Sequence, residues 1–586
     1  MERSESTSRD TNLVVARLFE EIAQSLEVAG EQGHRLRAYR RASRAVAATP
    51  ARLEDLAAEG RLREIPGIGQ AMAALITEYL QSGAIRTHQR LVAENPPGLA
   101  PLLHARGFGP AGVQALHAAT GATSLDDVEQ AARDGRLAQV LGPRRAEDLL
   151  GQLPALRNPI RSLRLKSAFE MAHALVDLLT EAHPRRIAIA GSARRMCEMA
   201  SDGVDVVAIP DREPSALLDL FTRLPSVVEV SHREYLAATV RLYDGLEVRL
   251  HLTDPETWGT TLLWHTGAEA HLSRLSAMAR ARGLRLVANG LFHDASRLPS
   301  DSEAAVYESL GLPYLAPELR EDTGEIEAAL DGSLPRLIEE ADLKGDLHCH
   351  TLETDGSASL EDMALAARAR GYAYMALTDH SRSLTITNGL SLERLEEARR
   401  RVAQLNHELA PFTILLGTEM DILEDGTLDY PDETLRSLDY VSASVHSRFK
   451  QSGDVMTARI LRAVSNPLVH TLNHPHGRML GIRPAYAVDM PAVIALAARV
   501  GCAMEVSADP ARMDLDGTWA RRVRAAGGRC TISSDAHSTL DFDNIWLAVG
   551  SARRGWLSAA DVLNTRPLDE FRELLRQRSQ QPPPRP

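Results

Sequence analysis

From residue 344 onward, one short apolar run after another ends on a histidine or a carboxylate. No other feature restricts the fold so strongly. The runs are DLHCH (346–350), YMALTDH (374–380), TILLGTE (413–419), YVSASVH (440–446), VHTLNHP (469–475) and TISSDAH (531–537), separated by helical stretches such as LEDMALAARARG. Strands alternating with helices over about 230 residues predict a parallel, barrel-like α/β domain. Such barrels place their chemistry at the C-terminal ends of the strands. There the spacing puts His348, His350, Asp355, His380, Glu419, His446, His474, Asp535 and His537.

His348 and His350 are two apart, so a strand sends both rings to one face and Cys349 to the other, into the core. A lone histidine in such a domain is most simply a strand cap. Six of the nine histidines after residue 343 end or adjoin predicted strands beside carboxylates, which decides for a metal site. Imidazole and carboxylate together suit Zn, Mn or Fe rather than a calcium cage. His407 and His470 fall outside the pattern, and His476 is placed to support the site or meet substrate. Arg448 and Arg478, each near a ligand-type histidine, are candidates for phosphate contact.

The nine residues, in this order, resemble the polymerase-and-histidinol-phosphatase (PHP) family of phosphoesterases over about 344–575. That resemblance implies a distorted (β/α) barrel holding three divalent metals, with His350, Glu419 and Asp535 among the catalytic groups. Clustered divalent ions acidify a bound water and neutralise phosphate oxygens.

The rest of the chain reads differently. Residues 11–160 show apolar positions at three- and four-residue intervals, as in LVVARLFEEIAQSLEVAG, and predict helices. Within them REIPGIGQAMAALI places Gly67 and Gly69 ahead of a helix, and ARGFGPAGVQALHAA repeats the pattern at Gly107 and Gly109. Backbone N–H groups at such a hairpin can hold a DNA phosphate without a basic side chain. One Gly-x-Gly alone commonly just ends a helix; two copies make the helix-hairpin-helix reading. Arg35, Arg37, Arg40, Arg41 and Arg44 on HRLRAYRRASR would add charge to it, or form an ordinary solvated face. The formal net charge of -13 argues against coating nucleic acid by bulk electrostatics, but residues 1–160 balance 19 arginines against 19 acids. Local DNA contacts therefore stay open.

Around residue 190, RIAIAGSARR predicts a strand breaking at a glycine turn, with VDVVAI and LEVRLHL as further strands. A Gly-Ser turn followed by carboxylates on neighbouring strands is the nucleotidyltransferase pattern. With the two hairpins, residues 11–320 resemble the family X DNA polymerases, and the whole chain resembles their bacterial members. That resemblance assigns Gly191, Ser192 and Arg195 to nucleotide phosphates and Asp202, Asp205 and Glu247 to palm catalysis with Mn or Mg. The chain departs from it. Asp202 and Asp205 are three apart, where the family has Asp-x-Asp on one face, so a bulge at Gly203 would be needed to re-pair them. Glu247 replaces an aspartate, and Trp264-His265 replaces the Tyr-Phe before the Thr-Gly turn. The family's lyase lysine is missing: Lys166, Lys344 and Lys450 are the only lysines, and arginine is a poor nucleophile.

The expected fold class is therefore multidomain α+β and α/β. Residues 1–10 are expected to be disordered, 11–88 and 89–160 helical with one hairpin motif each, 161–320 a nucleotidyltransferase palm with its following subdomain. Residues 321–343 read as an acidic linker, 344–575 as the PHP barrel and 576–586 as a disordered tail. No run reaches the ~20 apolar residues of a membrane helix. The four cysteines form no CxxC pair and fit a reducing cytoplasm. The expected function is DNA repair: 3′-5′ exonuclease action, with abasic-site incision open to the same cluster and compromised gap filling from dNTPs. DNA, gapped or primer-template, is the expected partner. A PHP-type small-molecule phosphatase and a non-catalytic DNA scaffold are the rivals. The hairpins argue against the first. Against the second stands the cost of burying so many ionisable groups without metal.

Overall fold

The computed structural model describes all residues except 1, 32, 50, 106–107, 158–162, 225, 243–245 and 583–586, and only the backbone of 2–10, 44, 48, 104, 154, 155 and 157. Gly107 lies outside the described residues. The chain forms two compact units, one of Met1–Ser162, His173–Ile187 and Ser201–Leu252, the other of Leu163–Ala172, Ala188–Ala200 and Thr253–Pro586.

The first unit opens with the helix Glu2–Val28, so residues 2–10 continue a helix where disorder was expected. Val15, Phe19, Ile22 and Leu26, spaced by four, three and four, form its fully buried stripe. Each contributes about 1.5–3 kcal/mol by leaving water. Two hydrophobic clusters divide the helices. One gathers residues from Val15 to Leu91, the other Val28 and residues from Leu99 to Leu156. Four strands follow: β1 (Val204–Ile209), β2 (Val227–Arg233), β3 (Ala237–Leu242) and β4 (Glu247–Leu252). They lie in the order β1-β4-β3-β2. The β1–β4 pair is parallel and its register opposes Asp205 to Arg249.

In the second unit, helices Trp258–Thr266 and Glu269–Ala281 and a hairpin sheet over 284–298 share a core with Tyr307, Leu310 and Ile326. Residues 321–343, expected as a linker, instead carry the helix Glu325–Asp331 and bury Ile326 and Leu337. The barrel follows with seven strands, all parallel and adjacent in chain order: β5 (Gly345–Asp346), β6 (Tyr374–Leu377), β7 (Thr413–Asp421), β8 (Tyr440–Ser444), β9 (Thr471–Leu472), β10 (Ala503–Ser507) and β11 (Cys530–Ser533). A bridge between Cys349 and Ala536 joins the first strand's extension to the last. Nearly every strand residue is buried, as covered parallel strands require. The helix Leu568–Ser579 seals the barrel with Phe571 stacked on Tyr374, ring centroids 5.2 Å apart. Arg578, expected in a disordered tail, is buried and donates to the carbonyls of Val464 and Asn466. Among the described residues no helix is long and apolar enough to cross a membrane.

Candidate metal centre and the DNA-binding elements

At the C-terminal ends of the barrel strands the nine expected side chains come together. Four overlapping groups have donor atoms within 4.8 Å of one another: His350, Asp355, His380 and His537; His348, Glu419 and His474; His348, His350 and Asp535; His380, Glu419 and His446. Glu419, at the end of β7, is the hub. Its carboxylate lies 2.8 Å from His380 Nδ1, 2.9 Å from His474 Nε2, 3.2 Å from His446 Nε2 and 3.4 Å from His348 Nε2. Asp535 lies 3.4 Å from both His348 and His350, and Asp355 3.4 Å from both His380 and His537. His348 and His350 share a face, as their spacing requires, with ring centroids 5.1 Å apart.

Burial and mutual charge set the protonation of the cluster. Burial pushes His350 down to about 3, helped by the neighbouring rings of His537 and His380. It takes His474 to about 4, with Arg512 adding to the effect. Burial also opposes charge on His380, but Glu419 and Asp355 overcome it and lift that ring to about 10. Glu419 itself falls well below the carboxylate range: burial resists, yet the rings of His446, His348 and His380 prevail.

These residues fit divalent cations. His348 Nε2, both nitrogens of His350, and Nδ1 of His380, His446 and His474 are buried without a hydrogen-bond partner. Leaving that many buried polar atoms unsatisfied is costly unless something else binds them. Neutral imidazole lone pairs beside carboxylates are a transition-metal donor set.

Three supporting residues escaped the sequence reading. Glu505, on β10 and fully buried, accepts from His348 Nδ1 at 2.7 Å and from the His474 backbone N–H at 2.8 Å. A bond to one imidazole nitrogen fixes the tautomer and aims the other at the cluster. Asp421 stands 3.5 Å behind His446 Nδ1. Arg512 sets Nε 3.1 Å from Asp509 and 3.7 Å from Asp535, with about a fifth of its side chain exposed.

In the first unit, Gly67 holds φ +93°, and a Cβ there would meet Arg41 Cγ at 2.9 Å. Gly69 caps the helix Gln70–Ser82 and Gly109 the helix Pro110–Thr120, neither with a side-chain cap. The leading N–H groups of both helices therefore have no capping side chain, as a hairpin built for phosphate requires. Arg35 and Arg40 pair with Glu31 and Glu27, while Arg37 and Arg41 are exposed.

The palm carboxylates take an unexpected arrangement. The β1–β4 register runs unbroken from Val204 to Ala208, so Asp202 and Gly203 lie ahead of the strand, Asp202 in the turn. Gly203 precedes the strand at φ +89°, and a Cβ there would lie 2.5 Å from the Glu247 carbonyl oxygen. Arg249 fills the cluster instead. It donates to both Asp205 oxygens at 2.8 and 2.9 Å, to Glu247 at 3.1 Å and to the Asp202 carbonyl. His251 adds a 2.9 Å contact to Asp205. Burial alone would raise the Asp205 carboxyl, but the Arg249 and His251 bonds lower it to about 2. These residues do not fit a pair of catalytic cations, because Arg249 already takes up both oxygens of Asp205, the buried carboxylate of the three.

Residues 10–85 match the family described as a helix-hairpin-helix domain, 261–321 the DNA polymerase beta thumb, and 346–482 the PHP domain. Over 571 residues, 96% of this chain and 99% of the relative, the sequence is 32% identical to the DNA polymerase/3′-5′ exonuclease PolX of Bacillus subtilis. The chain belongs to the bacterial family X DNA polymerases that carry a PHP domain. Probable phosphatases of a Thermoanaerobacter species and of Edwardsiella ictaluri are also similar, 27% and 30% identical, but match 38% and 34% of this chain.

As a family X chain it departs from its expected phosphate contacts. Arg195 is committed to Glu321 at 2.9 Å and to the Thr266 carbonyl at 2.7 Å. Ser192 is buried in the helix Gly191–Arg194. Arg478 spends its guanidinium on the Arg512 and Met513 carbonyls and on Asp516. Arg448 is exposed and pairs with Glu424. His476 is tied to Asp514, 3.2 Å from Nδ1, and packs on Trp519. Arg512, beside Asp535, is the guanidinium that stands at the cluster.

Proposed function

We propose that this chain is a DNA-repair exonuclease of the cytoplasm whose barrel-mouth cluster removes nucleotides from 3′ ends. The carrying observation is the set of buried imidazole nitrogens without partners, gathered with Glu419, Asp355 and Asp535 where a parallel barrel presents its chemistry. The nine residues would hold three divalent ions drawn from Mn, Zn and Fe. Such ions supply Lewis acidity and neutralise charge at a phosphodiester.

The protein's own groups do the rest. Glu505 sets the ring orientation of His348 before substrate arrives. Arg512 engages through Nε and has side chain exposed, so its remaining N–H donors can grip the scissile phosphate bidentately. The near-complete burial of His348, His350 and Glu419 excludes bulk water, which strengthens each of these interactions. The hairpins at Gly67-Gly69 and Gly109 supply the DNA grip, and abasic-site incision would use the same cluster on a different ester.

A 5′-labelled primer on a gapped template with Mn²⁺ tests this. The chain shortens the primer and His350→Ala does not, while still binding the DNA. Shortening that persists in the variant removes the nuclease from the cluster.

A further inference from the structure

We infer that the palm of this chain does not extend DNA. The inference stands apart from the nuclease assignment, because it rests on residues of β1 and β4.

Nucleotidyl transfer by two cations needs carboxylates that bridge them on one face. A strand offers such a pair only at positions two apart. For Asp205 those positions are Gly203 and Val207. Val207 is a buried apolar residue, and Gly203 has neither the side chain nor the room for one, with the Glu247 carbonyl 2.5 Å from a Cβ. Asp202 precedes the strand, in the turn. Asp205 therefore has no carboxylate partner two positions away on β1.

The Asp205 carboxylate is already paired. The parallel register opposes Asp205 to Arg249, and parallel neighbours in register share a face. Arg249 and Glu247 are two apart on β4 and share that face as well. The guanidinium thus lies among Asp205, Glu247 and the Asp202 carbonyl, taking up both oxygens of the buried carboxylate. A cation entering here would have to break charge-assisted bonds made in register by the sheet itself. The contrast with the barrel mouth is chemical. There imidazole nitrogens are left without hydrogen-bond partners, whereas here both Asp205 oxygens have theirs.

The test uses the full-length chain carrying His350→Ala, with a 5′-labelled primer on a gapped template, Mn²⁺ or Mg²⁺ and four dNTPs, one of them radiolabelled. DNA binding by fluorescence anisotropy verifies that the variant is folded; Asp535→Asn replaces it if it is not. The expected result is no lengthening and no incorporated label. Template-directed incorporation overturns the inference, and the label reports it even if shortening persists. Adding Arg249→Met frees Asp205 but supplies no second carboxylate, so incorporation stays absent; its appearance would overturn the argument from Gly203. A metal count gives a readout independent of turnover. After desalting from Mn²⁺, Asp205→Asn retains as many ions per chain as the parent, and the loss of one or more refutes the closed palm.

Discussion

Glu505→Gln isolates the orienting role of one buried carboxylate. Glu505 takes two hydrogen bonds, from His348 Nδ1 at 2.7 Å and from the His474 N–H at 2.8 Å, and is fully buried. Burial lifts its carboxyl to about 7, against the pull of His348. The 2.7 Å bond holds a proton on Nδ1 and leaves Nε2 facing Glu419 and Asp535. Glutamine keeps the size and one carbonyl acceptor but turns an NH₂ toward the second donor. Mutations of such orienting partners cost about 10–100-fold in metal affinity. That factor corresponds to about 1.4–2.7 kcal/mol. Leucine at the same place strands both donors at about 1–3 kcal/mol each, so Glu505→Leu loses about 2–6 kcal/mol of folding stability. The assay is exonuclease rate against Mn²⁺ concentration, with bound metal counted after dialysis. Glu505→Gln shifts the Mn²⁺ dependence upward by one to two decades and recovers most of its rate at saturation, because every ligand is intact. An unshifted Mn²⁺ dependence refutes the reasoning, since His348 would then be oriented without Glu505.

Two further outcomes follow from other groups. Arg512→Ala raises KM for a DNA end at least tenfold while the metal count per chain stays unchanged, and Arg512→Lys recovers part of the loss; a fall in bound metal would reassign Arg512 to supporting Asp535. The Asp205–Arg249 pair adds a pH-dependent contribution to stability. The Asp205 carboxyl is depressed in the folded chain from 3.8 to about 2, so the contribution is fully present above the unfolded value and fades as pH falls through 4 toward 2. The shift corresponds to about 2 kcal/mol. Acid unfolding followed by circular dichroism in Arg249→Met therefore shows a flatter decline over that window, and an unchanged profile would refute the pairing.

The side chains gathered at the barrel mouth were legible because most of them close a local apolar run, and a parallel barrel collects run ends at one mouth whatever the order of its helices. Glu505 was not legible, because its partner His348 lies 157 residues away and the contact depends on which strands face each other. One signal was available: a lone carboxylate inside the apolar run CAMEVS is rarely buried without a partner. Arg249 was hidden for a similar reason. It follows Glu247 by two residues, but only the β1–β4 register tells that it opposes Asp205. Adjacency in sequence misled at Arg478, which neighbours a predicted ligand histidine yet turns back onto the loop at 512–516, while Arg512 reaches Asp535. The polar composition of QRSQQ suggested a tail, whereas Arg578 finds two carbonyls at the barrel wall and carries the helix to Ser579.

The two acidic clusters differ in where their compensating charge comes from, and that difference orders the chemistry of the chain. Carboxylates brought together repel, so a fold must either provide a cation or be built to accept one. At the barrel mouth Asp355, Glu419 and Asp535 are surrounded by imidazoles, and burial holds His350 and His474 neutral. The nitrogens of those two neutral rings that lack hydrogen-bond partners are donors for an incoming ion. In the palm the sheet register delivers Arg249, a cation that does not titrate away and does not exchange with solvent ions. A single carboxylate restored beside Asp205 would therefore not revive the palm: it would meet the Glu247 backbone at Gly203 and then compete with a guanidinium fixed two residues from Glu247. Reviving it takes both a residue change at β1 and the removal of Arg249 at β4. Hydrolysis at the barrel mouth needs only ions from solution.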